Sequence, residues 1–175
     1  MLSRWRRSDR SRIQVAVSPP IASALSSTRL KPLWTCPACG ERFVSPRLWH
    51  SCGRHSYDAL FARSEPHVRR IFDKLAALAR TCGPVRIYPQ KTRVVFQVRI
   101  RFGGGSPRKR AFIAGFLLPR DVHSPRFVVV LDGVSRHYKA CYVKLESERD
   151  VDGEITRWMR RAYKFGAQEH LKEVR

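Results

Sequence analysis

Acidic residues are scarce in this chain of 175 residues: 14 Asp and Glu stand against 35 Lys and Arg, for a formal net charge of +21. That balance excludes an acidic, solvating chain and favours an anionic partner, most simply nucleic acid and next a membrane surface. Long apolar runs are missing as well. The longest, residues 127–131 and 111–118, fall far short of the ~20 residues that a membrane-spanning helix needs. No apolar h-region with a cleavage site marks secretion, and five cysteines, an odd number, argue against complete disulfide pairing. No Gly-Lys-Ser/Thr follows the glycines at 103–105, and no Ser-His-Asp set, carboxylate pair or nucleophile elbow is present. The residues therefore point to binding rather than catalysis.

What is present suits a folded protein. An apolar fraction of 43% is ordinary for a globular chain, and the length fits one domain plus a small module. Partition of the charge is informative. Residues 1–31 carry +6, residues 32–65 carry +1, residues 66–145 carry +14, and residues 146–175 balance to zero. The first segment is rich in Ser and Arg, holds Pro19-Pro20 and shows no sustained periodicity. It reads as a disordered basic leader whose composition mimics a transit peptide, ahead of a cytoplasmic protein.

Three cysteines cluster. Cys36-x2-Cys39 followed by Gly40 has the form of a zinc knuckle, in which a tight turn aims two thiolates at one ion and the glycine supplies a positive φ. His50, Cys52 and His55 follow. Two ligand sets compete: His50-x-Cys52 on one face of an extended strand, or Cys52-x2-His55 as a second knuckle. Leu33, Trp34, Phe43, Leu48 and Trp49 supply apolar bulk for a module at 32–55 that draws its folding energy from zinc. Four protein ligands leave no open coordination position, so the ion is structural. Cys82 and Cys141 read as small buried residues.

The rest predicts an α+β domain at 56–166, followed by a tail at 167–175. A short helix capped by Ser56 precedes an amphipathic one that opens at Glu65-Pro66, buries Val68, Ile71, Phe72, Leu75, Leu78 and Ala79, and stops at Gly83-Pro84. Strands follow at 85–88, 96–102, 111–118, 127–131 and 138–145, with the last closing the sheet. In 96–102, strict alternation displays Gln97, Arg99 and Arg101 on the open face, and Gly103-Gly104-Gly105-Ser106-Pro107 reads as a flexible hairpin turn. A final helix begins near 150–152 and buries Val151, Ile155, Trp158, Met159 and Ala162. Without helical crossovers between the later strands the sheet is antiparallel, flanked by an N-terminal and a C-terminal helix.

Arg93, Arg99, Arg101, Arg108, Lys109 and Arg110 are the candidate phosphate contacts of a sequence-tolerant nucleic-acid surface. The alternative is a pocket for a small anionic ligand or protein partner, with Lys91, Thr92, Arg136 and His137 as its candidate residues.

Trp34-x-Cys36-Pro37-x-Cys39-Gly40-x-Arg42-Phe43 with His50-Ser51-Cys52 resembles the N-terminal segment of bacterial proteins in domain-of-unknown-function family 5655. Gly83-Pro84-Val85, Pro89-x-Lys91-Thr92 and the run Asp150-Val151-Asp152-x-Glu154-Ile155-x-x-Trp158 resemble its first strands and last helix. The resemblance spans about residues 33–165. It implies an α+β architecture and no established activity, and it favours His50 with Cys52 as the second ligand pair. The Arg density at 93, 99 and 101 departs from the family pattern.

Overall fold

The computed structural model describes residues 30–46, 48 and 50–171; all but the last two residues of the expected leader at 1–31 lie outside the described residues, as do Trp49 and the end of the expected tail. Two short strands, β1 (Trp34–Thr35) and β2 (Arg42–Phe43), pair antiparallel with Trp34 opposite Phe43. Helices α1 (Tyr57–Phe61) and α2 (Pro66–Thr81) come next. Ser56 caps α1 by accepting from the Ala59 N–H, and Pro66 sits at the start of α2, where a missing N–H costs nothing. Six strands then build one sheet: β3 (Arg86–Pro89), β4 (Val94–Gln97), β5 (Arg101–Pro107), β6 (Phe112–Pro119), β7 (Phe127–Leu131) and β8 (Tyr138–Leu145). Helix α3 (Gly153–Gly166) ends the domain.

Every pairing is antiparallel, in the order β3-β4-β5-β6-β8-β7. Strand β8 does not close the sheet, as its position in the chain suggests; it inserts between β6 and β7 and leaves β7 at the edge. The periodic stripes of α2 and α3 cover one face, where Val68, Ile71, Leu75, Ile155 and Met159 are fully buried against Phe96, Phe112, Phe116 and Leu145. Burying side chains of this size contributes roughly 1.5–3 kcal/mol each, before conformational entropy is charged against it.

Two expectations fail between residues 96 and 110, for one reason. The alternating run 96–102 is not a strand but the hairpin joining β4 to β5, turning at 98–100 where the N–H groups of Arg99 and Ile100 both donate to the Gly166 carbonyl. The glycine triplet is not the turn; it lies inside β5. Gly104 adopts φ +145°, and a Cβ there would stand 2.1 Å from the Val94 carbonyl oxygen, so only glycine lets β4 and β5 approach this closely. The true β5–β6 turn is Arg108-Lys109-Arg110, closed by the Arg108 N–H donating to Ala111 O at 2.8 Å.

Asp152 caps α3. Its Oδ1 accepts from the N–H groups of Glu154 and Ile155, both at 3.0 Å, and its Oδ2 from Arg126 at 2.9 Å. Burial pushes this carboxyl up, but the Ile155 amide and the Arg126 guanidinium outweigh it and hold it below its ordinary value of 3.8. A carboxyl depressed on folding stabilises the protein above its unfolded pKa and loses that contribution as pH falls through the folded value. Asp152→Ala is expected to cost about 1 kcal/mol at neutral pH. The gap from wild type should narrow below the ordinary carboxyl value of 3.8. Urea unfolding on either side of that pH measures it.

Candidate metal centre and sheet groove

The β1–β2 hairpin carries the knuckle. The Gly40 N–H donates to Cys36 O at 2.8 Å and the Cys36 N–H to Glu41 O at 2.7 Å, while Gly40 holds φ +71°. This tight turn points Cys36 and Cys39 the same way. The second pair comes from 50–53, where Cys52 (φ +46°) and Gly53 (φ +74°) are both left-handed and fold the chain back. Donor atoms of Cys36, Cys39, His50 and Cys52 all lie within 4.8 Å of one another. His50 Nε2 is 3.2 Å from Cys39 Sγ and 2.9 Å from Cys52 Sγ, and its Nδ1 is 2.7 Å from the Leu48 carbonyl. That carbonyl accepts a hydrogen bond from Nδ1–H and leaves Nε2 free to ligate, the usual outer support of a metal-binding imidazole. The ring also rests on Phe43, with centroids 4.4 Å apart. His55 stands outside this set and lines a neighbouring cleft of about 90 Å³ between the hairpin and β3.

Electrostatics in the cluster suit an ion. At Cys36 burial raises the thiol pKa, but the Ala38 and Cys39 amides reverse this and bring it down to about 7. Cys52 is pushed up to about 11, by burial and by the two neighbouring sulfurs. One site thus holds a thiolate-prone sulfur and one that resists ionisation, a conflict that a bound cation removes. The Cys3His set can hold a metal ion; its donors match a closed tetrahedral site.

The module is fastened to the sheet by polar contacts. Gln97, 1% exposed, donates through Nε2 to the Arg42 carbonyl at 3.0 Å, and its Oε1 accepts from Tyr88 at 2.8 Å. Arg86 pairs with Glu41, and Arg99 donates to the Lys31 carbonyl. Gln97, expected on an open face, is therefore a buried bracket.

The sheet's other face, away from α2 and α3, forms a groove of about 620 Å³. Its floor is bare because Gly104 and Gly115 are cross-strand partners, and the Tyr142 ring leans over Gly115. Val95, Leu117, Val129 and Leu131 give apolar walls, and Lys91, Arg93, Arg101 and Arg108 give a basic rim. Gln90 lines the same groove at 2% exposure. Its Oε1 accepts from Arg93 at 2.9 Å, but its Nε2 is a buried donor with no partner among the described residues.

The predicted anion-binding residues divide. Arg93, Arg101 and Arg108, with Lys91 and Thr92, line the groove. Arg99 turns away to Gln168 Oε1 at 2.9 Å, Arg110 pairs with Glu65 at 2.9 Å, and Lys109 is exposed in the β5–β6 turn. Arg136 and His137 are exposed before β8 and line no part of the groove. Alternation along 96–102 therefore does not build one continuous Arg face. Sequence reading missed Gln90, Gly104, Gly115 and Tyr142; only the glycine inside the apolar run 111–118 hinted at a bare floor. Among the described residues no helix is long and apolar enough to cross a membrane.

A family model described as domain of unknown function (DUF5655) matches residues 57–166, more than half the chain. The chain belongs to the DUF5655 family. No curated protein and no solved structure matches it. The DUF5655 match takes in α1 through α3, and every groove-lining residue falls within it. The four cysteine and histidine donors precede it, so the cluster that can hold a metal lies outside the DUF5655 match.

Proposed function

We propose that this protein is a zinc-braced binding protein whose sheet groove takes a small anionic molecule with an apolar body. The observation that carries this reading is the groove itself: about 620 Å³, apolar within, cationic at the rim, with one buried amide donor left unpaired. Volumes of this order suit one small ligand rather than a polymer, and a few convergent polar groups in an apolar cleft are how such ligands are oriented. Carboxylate or phosphate at the rim would meet Lys91, Arg93 and Arg108, and the unpaired Gln90 amide would give specificity.

Zinc is the ion we assign to the Cys3His set. Three thiolates and one imidazole suit it, and four protein ligands leave no position for a reacting water, which makes the site a brace for the hairpin at 32–55. The domain at 56–166 then carries the binding face. Sequence-tolerant nucleic-acid binding is the second reading, and the same rim cations favour it; its weakness is that Arg99, Lys109 and Arg110 stand outside the groove.

Thermal shifts with nucleoside monophosphates, aromatic carboxylates and a single-stranded oligonucleotide separate the two. A small anion should raise the melting temperature in proportion to log concentration, and Lys91→Ala with Arg108→Ala should weaken the effect roughly tenfold. A response to the oligonucleotide alone, falling steeply with salt, would favour the second reading. Silence from every small anion would overturn the first.

A further inference from the structure

Strand β7 ends the sheet, and its outer edge has no partner strand among the described residues. It is also where apolar surface is left uncovered: Val128, Val129, Val130 and Leu131 are 54, 47, 40 and 49% exposed. An uncharged apolar edge is a template for another strand, and proteins that avoid pairing blunt it with charge or a bulge; β7 has one register irregularity against β8, between Phe127 and Val129. Here residues 127–131 carry no charge at all, in a chain of net charge +21. The charges stand just outside, Arg126 at one end and Asp132 at the other.

That arrangement is self-complementary. In an antiparallel pair of two identical strands related by a two-fold axis, the register that sets every residue of Phe127–Leu131 against another of the same segment is centred on Val129. The same register sets Arg126 of each chain opposite Asp132 of the other. We propose that β7 pairs with β7 of a second copy of this chain, joining two six-stranded sheets into one. An isologous contact of this sort closes on itself and leaves no free β7 edge, which distinguishes it from open-ended aggregation through β7. Arg126 already reaches Asp152 at 2.9 Å and Glu154 at 3.1 Å, and Asp132 reaches Arg120 at 3.0 Å. Pairing therefore joins two small ion networks instead of leaving either charge alone. Repulsion between the two basic chains is screened beyond about 8 Å at physiological ionic strength. Because Val129 and Leu131 line the groove, the dimer runs its two grooves up to the shared strands. A ladder of five residues a side is a small interface, below about 1,200 Å², so the dimer should dissociate at micromolar concentrations.

Sedimentation velocity on the full chain is expected to move from a 20.3 kDa species to one of twice that mass as concentration rises. Val129→Lys sets two like charges against each other on the axis and should leave only the monomer. The register has its own test. In Val129→Cys the new cysteines face each other at a Cα separation that a disulfide spans, so mild oxidation should give a covalent dimer. Leu131→Cys, which faces Phe127 of the partner copy, should not. A monomer at about 500 μM, well above micromolar dissociation constants, would overturn the proposal. So would cross-linking at 131 as fast as at 129. Protection from exchange, in a strictly monomeric sample, of the β7 amides that do not bond to β8 would assign the edge to another segment of this chain and overturn it equally.

Discussion

Protein carrying Cys52→Ser is expected to leave purification without metal, whereas the wild type is expected to carry about one zinc per chain. Three thiolates and an imidazole within 4.8 Å form a site only together; with one sulfur gone the rest are a partial set whose affinity collapses. Folding free energy in so small a module is largely metal-binding free energy, on the order of 10 kcal/mol for a structural zinc at neutral pH. The hairpin should therefore come away from the sheet, exposing Phe43, which is 1% exposed when docked. Elemental analysis gives the stoichiometry, and cobalt substitution gives a spectrum diagnostic of tetrahedral sulfur coordination. His50→Ala should behave like Cys52→Ser, and His55→Ala should keep its metal. Acid should strip the ion, because every ligand must lose a proton to bind: Cys36 does so near pH 7 even without metal, and Cys52 only through the cation's help. Unchanged metal content in Cys52→Ser would remove the centre from this protein.

The second large effect is at the bare floor of the groove. Gly104→Ala is expected to destabilise the domain by about 3 kcal/mol or more. Two costs add. The residue sits at φ +145°, which L side chains rarely adopt, and the new Cβ would stand 2.1 Å from Val94 O, 3.0 Å from Val94 C and 3.1 Å from Val95 Cα, all backbone. Backbone cannot swing aside as a side chain can, so β4 and β5 must part. For a chain of this length that corresponds to a fall in melting temperature of roughly 6–12 °C. Gly133→Ala is the comparison: its φ of +87° carries strain, but nothing lies within 4 Å, so about 1 kcal/mol is expected. Equal losses from the two substitutions would show that strand contact adds nothing beyond dihedral strain.

Much of the architecture is legible in the residue pattern where one period dominates. Helices α2 and α3 repeat apolar residues at three and four steps against a charged face, and their starts and stops stand within a residue or two of where Pro66, Gly83 and Asp152 place them, as the start of α1 does for Ser56. Strand β8, alternating over eight residues, matches its expected limits. The stretch 96–110 misleads because two signals are degenerate. Alternation of apolar and polar residues continues through a tight hairpin as readily as along a strand. Glycine marks both a turn and a place where backbones touch, and local sequence does not tell these apart. Long-range partners decide: the Gly166 carbonyl that holds 99 and 100 is contributed from 66 residues further on. The candidate metal donors are legible as a spacing, and the family resemblance favours His50 over His55; the reversal at Cys52 and Gly53 that brings His50 to the sulfurs is not legible, since no propensity announces it for a cysteine. The groove was half visible. Its cations stand out in the sequence and its apolar walls do not, since Leu117 and Val129 belong to runs that read as core.

The link between module and domain has a consequence for how such proteins diversify. Gln97 holds the hairpin by the carbonyl of residue 42, and Arg99 holds the approaching chain by the carbonyl of residue 31. A carbonyl is the same group whatever side chain it belongs to. At those two positions the domain recognises the course of the segment in front of it rather than its side chains, so both can vary without loosening these contacts; the Arg86–Glu41 pair, by contrast, asks for a particular side chain. A fastening of that kind accepts replacement parts.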